Sequence, residues 1–338
     1  MKDIISRKKF RLFILIVTLA VMNSRAFTEE VFAESVNSFS IQPLDEKGNV
    51  NEKGYYHIID EPGKQHAISI RVYNPSEEEI KVNVIANPAS TNQNGIPSYL
   101  GEQVYDSSLN HRMDKLIAIE ESELLIPAGE SALATMVISL PQEGWEGDIL
   151  GGIRFTEEKS QQNNQTVVHE VAYTIGVLLN QTGGAAVQNE LSLNEVVAAQ
   201  RNYRNHIEAN LQNSAAAIIR NMTIQSSIYR EGSGTPIYTY KAHELRMAPN
   251  SNFNFGIPTG SQPIESGDYV LKMLITADDK EYQFEQTFSI TNANARQLNQ
   301  SAVNLDQSRA FISYGMFLGI GLFFFLLVVW WSRKNKKR

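Results

Sequence analysis

Short runs in which every second residue is apolar recur along most of this 338-residue chain. Ile68, Ile70 and Val72, for example, alternate with polar or charged residues. Similar runs occur at residues 80–84, 207–211, 253–257 and 282–290. A period of two is the signature of a β-strand with one buried face. Because turns rich in Asn, Gly, Pro and Ser separate the runs, the sequence predicts an all-β chain of antiparallel β-sandwiches.

The first 33 residues depart from this pattern and predict a signal peptide at 1–33. Five basic residues lie between positions 2 and 11, and an almost entirely apolar run follows at 12–22. That run is too short to cross a bilayer, as is usual for a secretory signal. Small or aliphatic residues precede Glu34, so we expect cleavage there, with Ala26 as a weaker second site.

The C-terminal end predicts a membrane anchor. Residues 311–331 are uncharged and almost entirely apolar, and a helix of that length spans the hydrocarbon of a bilayer. Five of the seven residues at 332–338 are basic, and basic flanks stay in the cytoplasm. The two ends together predict a single-pass protein of the cell membrane with extracellular N-terminal domains and a cytoplasmic C-terminus.

Charge and cysteine content limit the partners and the chemistry of the extracellular part. Without the two ends, the chain keeps 19 basic and 34 acidic residues, and such a surface repels nucleic acid. The absence of cysteine excludes disulfides, thiolate metal sites and thiol nucleophiles. Six scattered histidines show no metal-ligand spacing, and Ser233 lacks the context of a nucleophile elbow. We therefore expect no catalytic residues, no metal and no cofactor.

The central segment repeats one plan twice. In each half an alternating run ends in an asparagine, at Asn74 and Asn213. A Pro turn, a run closed by Pro and a Gly-Asp pair follow further on, with these corresponding positions: Pro127, Pro141 and Gly147 in the first half, and Pro249, Pro258 and Gly267 in the second. The repeat predicts two tandem Ig-like domains, at 34–182 and 183–291, followed by a stalk at 292–310. We interpret the polar stretch at 157–165 as a hairpin loop inside the first domain.

One long segment between predicted strands is the best candidate for a binding loop. Residues 87–115 are irregular, and loops of this length in a compact domain are usually either functional or disordered. The segment contains amides, hydroxyls and tyrosine rings, which hydrogen-bond and stack on a glycan or a peptide. We predict ligand contacts from Thr91, Asn92, Asn94, Tyr99 and Tyr105. A packed cover over the sheet is an equally good interpretation of this loop.

Trp145 is a further candidate for ligand binding. It is the only tryptophan outside the predicted membrane segment, and it lies in a Gly-rich turn. Its large ring suits either of two roles, an exposed contact to a ligand or a plug for one end of the sandwich. The sequence leaves both roles open.

Several of these segments resemble the WxL-interacting proteins of Gram-positive bacteria. The resemblance rests on FSIQP, TNQNGIPSY and GDILGGIRF in the first half, and on MAPNSNFNFGIP followed by GDYVLKM in the second. It implies a cell-surface protein with a peptidoglycan-binding domain and a second, host-binding domain, which acts together with WxL proteins. The chain has no Trp-x-Leu sequence of its own, which fits a partner of a WxL protein.

These observations lead to one main hypothesis and two alternatives. The main hypothesis is a non-enzymatic, membrane-anchored adhesion scaffold that binds peptidoglycan and either a WxL-domain surface protein or a host extracellular-matrix protein. The first alternative is a surface-assembly chaperone that lends an edge strand to a WxL partner, because Ig-like sheets have open edges. The second is a cell-wall hydrolase, which would need a carboxylate pair with one desolvated member.

Overall fold

The alternating runs form strands in the computed structural model of the protein, and buried and exposed side chains alternate along most of them. The structure describes residues 39–101, 104–158, 171–303 and 305. Outside these residues lie the predicted signal peptide, membrane helix and basic tail, at 1–33, 311–331 and 332–338. Neither of the two helices in the described ranges has the length and apolar content needed to span a membrane.

The first half of the described chain forms two large sheets around one hydrophobic core. Its strands are β1 (Ser40–Leu44), β2 (Tyr56–Asp60), β3 (Gln65–Tyr73), β4 (Ile80–Pro88), β5 (Ser90–Thr91), β6 (Pro97–Ser98), β7 (Ile117–Ile119), β8 (Glu123–Ile126), β9 (Ser131–Ser139), β10 (Ile149–Glu157) and β11 (Ala172–Gln181). The spatial orders are β1, β3, β9, β7 in one sheet and β2, β11, β10, β4, β8 in the other. Inward side chains of both sheets, such as Ile70, Met136 and Phe155, share the core. Among the pairs of these sheets, only β2 with β11 is parallel.

The second half repeats this arrangement with fewer strands. They are β12 (Leu191–Arg201), β13 (Arg204–Asn213), β14 (Ile219–Arg230), β15 (Pro236–Met247), β16 (Ser251–Pro258), β17 (Gly267–Ala277) and β18 (Lys280–Ile290). The sheet orders are β12, β13, β16 and β15, β14, β17, β18, with every pair antiparallel. Ile224, Phe253 and Leu271 lie in its core, which is distinct from the first. The predicted all-β class is confirmed.

Two buried asparagines support the repeated plan. Asn74 directly follows β3, and its Nδ2 donates to the carbonyl oxygen of Ile126 at 2.9 Å. Asn213 ends β13, and its Nδ2 donates to the carbonyl oxygen of Ala248 at 3.2 Å. Both also donate to a carbonyl in the loop after their own strand, and both are fully buried. Each carboxamide therefore ties that loop to the Pro turn before the neighbouring strand, β9 or β16.

Two adjacent glycines in β10 let the loop at 87–115 pack on both faces of a sheet. Gly151 faces inward, where a Cβ would lie 2.5 Å from the Cβ of Met113. Gly152 faces outward, where a Cβ would lie 2.9 Å from the ring of Tyr99. Because neither position has a side chain, the short helix α1 (Met113–Leu116) closes the core and Tyr99 covers the outer face.

The first ten residues of the predicted stalk at 292–310 are helical in the structure. They form helix α2 (Asn292–Ser301), which Thr291 caps by accepting a hydrogen bond from a first-turn N–H at 3.2 Å. Ala295 and Leu298 of this helix are buried against the second core. Because only one narrow apolar stripe faces that core, the polar composition of the segment did not indicate a helix in the sequence. Most of the remaining stalk residues lie outside the described part of the chain.

The predicted hairpin loop and domain boundary fall between neighbouring elements. β10 and β11 pair antiparallel, as the two strands of a hairpin do, and most of the loop predicted at 157–165 lies outside the described residues. The predicted boundary at 182/183 falls in the connection between β11 and β12. This connection leads from the sheet that contains β10 and β11 into the sheet that contains β12 and β13.

Candidate functional site

The loop at 87–115 lies at the junction of the two halves. The Oγ1 atom of Thr91 lies 2.6 Å from the Oγ atom of Ser251 and accepts the backbone N–H of Ala248 at 3.0 Å. The backbone N–H of Arg246 donates to the carbonyl oxygen of Gly95 at 2.7 Å. β5 and β6 pair within the loop and hold these groups in place. The loop is therefore fixed by the second half as well as by its own.

Asp106 makes the most extensive side-chain contacts across this junction. Its Oδ1 and Oδ2 atoms accept Gln212 Nε2 at 2.8 and 3.0 Å, and Oδ2 accepts Asn252 Nδ2 at 2.6 Å. Ser108 donates its hydroxyl and its N–H from within the loop. Burial by itself raises the pKa of Asp106, but the hydrogen bonds from Ser108, Asn252 and Gln212 outweigh it and lower the pKa. Asp106 therefore stays ionised at neutral pH.

A second contact between the halves uses the Gly-Asp pair of the repeated plan. The N–H of Asp148 donates to the carbonyl oxygen of Ala216 at 2.7 Å, and its Oδ2 accepts the N–H of Ile218 at 3.0 Å. Gly147 has a φ of 76°, and a Cβ there would lie 2.0 Å from the Ala216 carbonyl oxygen. Only glycine fits this close approach, so the Gly-Asp pair is a junction element in the first half.

A polar groove runs along the junction between the loop and the second half. It has a volume of about 360 Å³. Its lining includes Asn92, Tyr105, Asp106, Asn250 and Asn252. The guanidinium of Arg112 lies 4.7 Å from the centre of the Tyr105 ring, which orients that ring from one side. Amide, carboxylate and aromatic groups thus converge on one concave surface that two halves of the chain build together.

The predicted ligand-binding residues of the loop are divided between this groove and its surroundings. Thr91, Asn92 and Tyr105 line the groove, although the Thr91 hydroxyl is already engaged by Ser251. The side chain of Asn92 accepts the N–H of Asn94 at 2.9 Å and so shapes the turn. Asn94 itself lines a neighbouring cleft. The structure therefore brings three of the five loop residues to one surface.

Tyr99 and Trp145 lie away from the groove. Tyr99 lies on Gly152, and burial raises its pKa, although nearby Arg246 acts in the opposite direction. The part of the loop around Tyr99 therefore packs as a cover over the sheet, which is the alternative interpretation that the sequence left open for this segment. Trp145 is 5% exposed and belongs to the first core, so its burial favours the plug over the exposed contact.

A larger cleft of about 620 Å³ lies next to the groove. It is lined mainly by the second half, with side chains from β13, β15 and β16, and two loop residues of the first half also contribute to its lining. The ring of Tyr240 stacks on Phe255 with a centroid distance of 5.7 Å and forms part of its apolar wall. Arg204 and His206 also line the cleft.

Sequence reasoning missed the residues that the second half contributes to these surfaces. Asp106 and Asn252 are 146 positions apart, so no local pattern joins them. The available signal was in β16, where Asn252 and Asn254 alternate with the buried Phe253 and Phe255. That alternation marks an amide-bearing outer face, but it does not say what the face meets. Among the described residues, no three His, Asp or Glu side chains converge in a way that could hold a metal ion.

Comparison with solved structures gives only weak similarities. They include a pre-assembly complex of the Csu chaperone and tip adhesion subunit of Acinetobacter baumannii, at 14% identity and TM-score 0.32, covering 73% of this chain and 97% of that chain. The E. coli chaperone DraB matches at 13% identity and TM-score 0.29, covering 73% and 98%. The class 5 fimbriae chaperone CfaA matches at 13% identity and TM-score 0.30, covering 75% and 100%. Scores this low establish neither a common fold nor a common function.

Sequence families give a much firmer assignment. No curated protein matches the chain. Residues 39–157 match the peptidoglycan binding domain of the WxL Interacting Protein, and residues 162–300 match its host binding domain. The second match begins before β11, a strand that pairs within the first half. The two matches cover most of the chain, and both repeat units and the junction loop lie within them, so the chain belongs to the WxL Interacting Protein family.

Proposed function

We propose that this chain works at the cell surface by binding and not by catalysis. In this proposal the first half holds peptidoglycan and the second half holds a protein, either a WxL-domain surface protein or a host extracellular-matrix protein. The observation that carries the proposal is the match of two binding domains of one family to consecutive parts of the chain. The hydrogen-bonded junction supports a single scaffold that acts on two ligands together.

The proposal includes a membrane anchor and two Ig-like domains. The signal-like N-terminus, the apolar segment at 311–331 and the basic tail support a single-pass protein with its domains outside. Two packed sheets in each half and a shared strand plan support Ig-like domains at 34–182 and 183–291. Protease treatment of intact cells is expected to remove both domains. The arrangement would be contradicted if both domains survived protease treatment of intact cells and were cleaved only after the cells were lysed.

The polar groove is the proposed contact surface for the glycan strand of peptidoglycan. Sugar hydroxyl and acetamido groups need hydrogen-bond donors and acceptors, which Asn92, Asn252 and the ionised Asp106 supply. The apolar face of a sugar ring packs on an aromatic ring, which Tyr105 supplies. A neutral glycan also avoids the repulsion that the acidic surface exerts on anionic wall polymers.

Retention on purified, insoluble peptidoglycan tests this site. With the full chain in detergent, Tyr105→Ala and Asn252→Ala are each expected to lower retention about tenfold, which corresponds to one charge-assisted or aromatic contact. Tyr73→Ala and Asn221→Ala are the matched controls, because these residues are exposed and do not line the groove. Unchanged retention of both groove variants, with melting curves like the wild type, would remove the groove from the site.

A further inference from the structure

The outer edges of β9 and β16 differ in what covers them. The two strands hold the same place in the repeated plan, next to β3 and β13. In the first half, β7 pairs antiparallel with the outer edge of β9, with Ile119 opposite Met136. In the second half, no strand of the described residues pairs with the corresponding edge of β16. The 620 Å³ cleft lies beside that open edge.

The cleft has an apolar wall that an extended chain could contact. Tyr240 is 39% exposed and stacks on Phe255, which is 4% exposed. Leu245 and Pro258 extend this wall. β15, which carries Tyr240 and Leu245, is also an edge strand of its sheet. A ligand here would meet aromatic and aliphatic side chains together with the outer edge of β16. No described strand pairs with that edge, and its Asn254 carbonyl oxygen accepts a hydrogen bond from Arg201.

The cleft also contains a cation that has no partner among the described residues. Arg201 is neutralised, since its Nε lies 2.8 Å from Glu208 Oε1 and its guanidinium also donates to the carbonyl oxygens of Gln93 and Asn254. The side chain of Arg204, in contrast, makes no hydrogen bond or ion pair with any described residue. None of the described residues that line the cleft is acidic. In a strongly acidic extracellular segment, this is a local preference for a negative group.

The backbone fixes the position of Arg204 in the lining of the cleft. Asn202 and Tyr203 have φ values of 49° and 58°, which is the left-handed conformation of a tight two-residue hairpin turn. Arg201 and Arg204 are paired at the base of this turn. The N–H of Val303 donates to the carbonyl oxygen of Tyr203 at 3.0 Å and ties down the tip. The guanidinium therefore starts from a fixed point at the beginning of β13.

We propose that this cleft binds an extended segment of a partner protein, which pairs with the edge of β16 and presents an aromatic or aliphatic side chain beside a carboxylate side chain. The first half supplies such a strand from its own sequence as β7, which is why an extended polypeptide is the occupant we assign. The apolar side chain packs on Tyr240, and the carboxylate binds Arg204. Pairing ends at Pro258, because proline has no N–H to donate. The inference rests on the proposed partner-binding role of the second half.

A display library of random eight-residue peptides tests the proposal. Selection on the full chain in detergent is expected to enrich sequences with Asp or Glu next to an aromatic or aliphatic residue. In fluorescence anisotropy, Arg204→Gln is expected to weaken a labelled peptide from that selection about tenfold. Replacing the carboxylate of that peptide by an amide should weaken its binding to the wild type by the same factor. The same replacement should cause no further loss of binding to the Arg204→Gln variant. Tyr240→Ala should weaken both peptides.

Arg220→Gln is the matched control, because Arg220 is exposed on β14 and does not line the cleft. This variant should bind the selected peptide like the wild type. Absence of any enriched sequence, or enrichment that persists unchanged in Arg204→Gln, would overturn the inference. Peptidoglycan retention separates this outcome from the proposed function: it depends on the groove variants and should be unchanged in Arg204→Gln. If the library is enriched as expected but the wild-type chain is not retained on peptidoglycan, the proposed peptidoglycan-binding function is rejected and the inference about the cleft is not.

Discussion

The two halves of the molecule are built on one plan, and the first half has two insertions that the second half does not have: the segment that carries β2, between β1 and β3, and the segment between β4 and β8. In both halves a buried asparagine ties the end of a strand to a Pro turn, and a Gly-Asp pair precedes or begins the next central strand. In the second half a short turn joins β14 to β15. In the first half the loop at 87–115 and β7 come between the corresponding strands, β4 and β8. The insertion between β4 and β8 builds the junction and covers the edge of β9, whereas no described strand pairs with the outer edge of β16.

The insertion also changes the core at one equivalent position. Gly151 and Leu271 each lie four residues after the glycine of the Gly-Asp pair, on β10 and β17. Leu271 fills its own space in the second core, whereas Met113 of α1 fills the space above Gly151. Both side chains are fully buried. The first half thus replaces a strand side chain by one from the loop, which anchors the loop that forms the groove.

The largest expected effect is the loss of either buried asparagine. Asn74→Ala removes the side-chain donor to the buried carbonyl oxygen of Ile126, and Asn213→Ala removes the one to the buried carbonyl oxygen of Ala217. Each variant also loses the other hydrogen bonds of its carboxamide, so each should lower the free energy of unfolding by about 3 kcal/mol. Urea denaturation followed by circular dichroism measures this. Asn221→Ala, at an exposed position, should change the midpoint little. If Asn74→Ala or Asn213→Ala lowered the free energy of unfolding no more than this control, the buried asparagine would not stabilise the repeated arrangement.

The next effect tests the glycine that distinguishes the first half. In Gly151→Ala the new Cβ would lie 2.5 Å from Met113 Cβ, so α1 must shift, at a cost of about 2 kcal/mol from overpacking. Gly176→Ala is the control, because its nearest neighbouring atom is 3.8 Å away. Thermal unfolding should show a lower midpoint for the first variant only. Equal midpoints would show that Met113 does not need the space above β10.

A smaller effect is expected at the junction. Asp106→Asn removes one charged acceptor for Gln212 and Asn252, and should lower the free energy of unfolding by about 1 kcal/mol at pH 7. The folded state lowers the pKa of Asp106, so its contribution is complete above a pH of about 4 and is lost as the pH falls through the lower folded value.

The pH dependence provides the check on Asp106. The difference between wild type and Asp106→Asn should be present at pH 7 and should shrink under strongly acidic conditions. Asp114→Asn serves as a control, because Asp114 pairs with Arg112 inside the loop and does not cross the junction. A difference that is the same at both pH values would contradict an ionised Asp106 at the junction.

The smallest effect concerns helix α2, which closes only the second half. Thr291→Ala removes the cap and should lower the free energy of unfolding by about 0.5 kcal/mol. Thr291→Ser keeps the hydroxyl and should stay close to the wild type. Chemical denaturation of the three proteins measures the difference. A loss in the serine variant as large as in the alanine variant would assign the effect to packing and not to the cap.

The strand pattern was predictable because it follows from local chemistry. Alternating apolar residues, Pro turns and the asparagines at 74 and 213 each carry their meaning within a few positions of sequence. Helix α2 was not predicted, because only Ala295 and Leu298 mark its buried stripe. The sequence also could not show that β2 pairs in parallel with β11, since that pairing joins residues far apart in the chain.

The candidate site was only partly predictable for the same reason. The composition of the loop at 87–115 pointed to polar contacts, and Asn92 and Tyr105 do line a groove. The other wall of that groove comes from residues more than 100 positions away, such as Asn250 and Asn252. Arg204 and Arg201 look alike in sequence, and what distinguishes them is that Arg201 pairs with Glu208 and donates to two backbone carbonyl oxygens. Tertiary proximity decides which polar residues share a surface.

Incubation of the full chain with insoluble peptidoglycan that carries a radiolabelled glycan tests the central claim most directly. The account predicts saturable retention of the protein on the pellet, with all of the label remaining insoluble. Release of soluble labelled fragments, or a complete failure of the protein to sediment with the wall material, would contradict a scaffold that binds without catalysis.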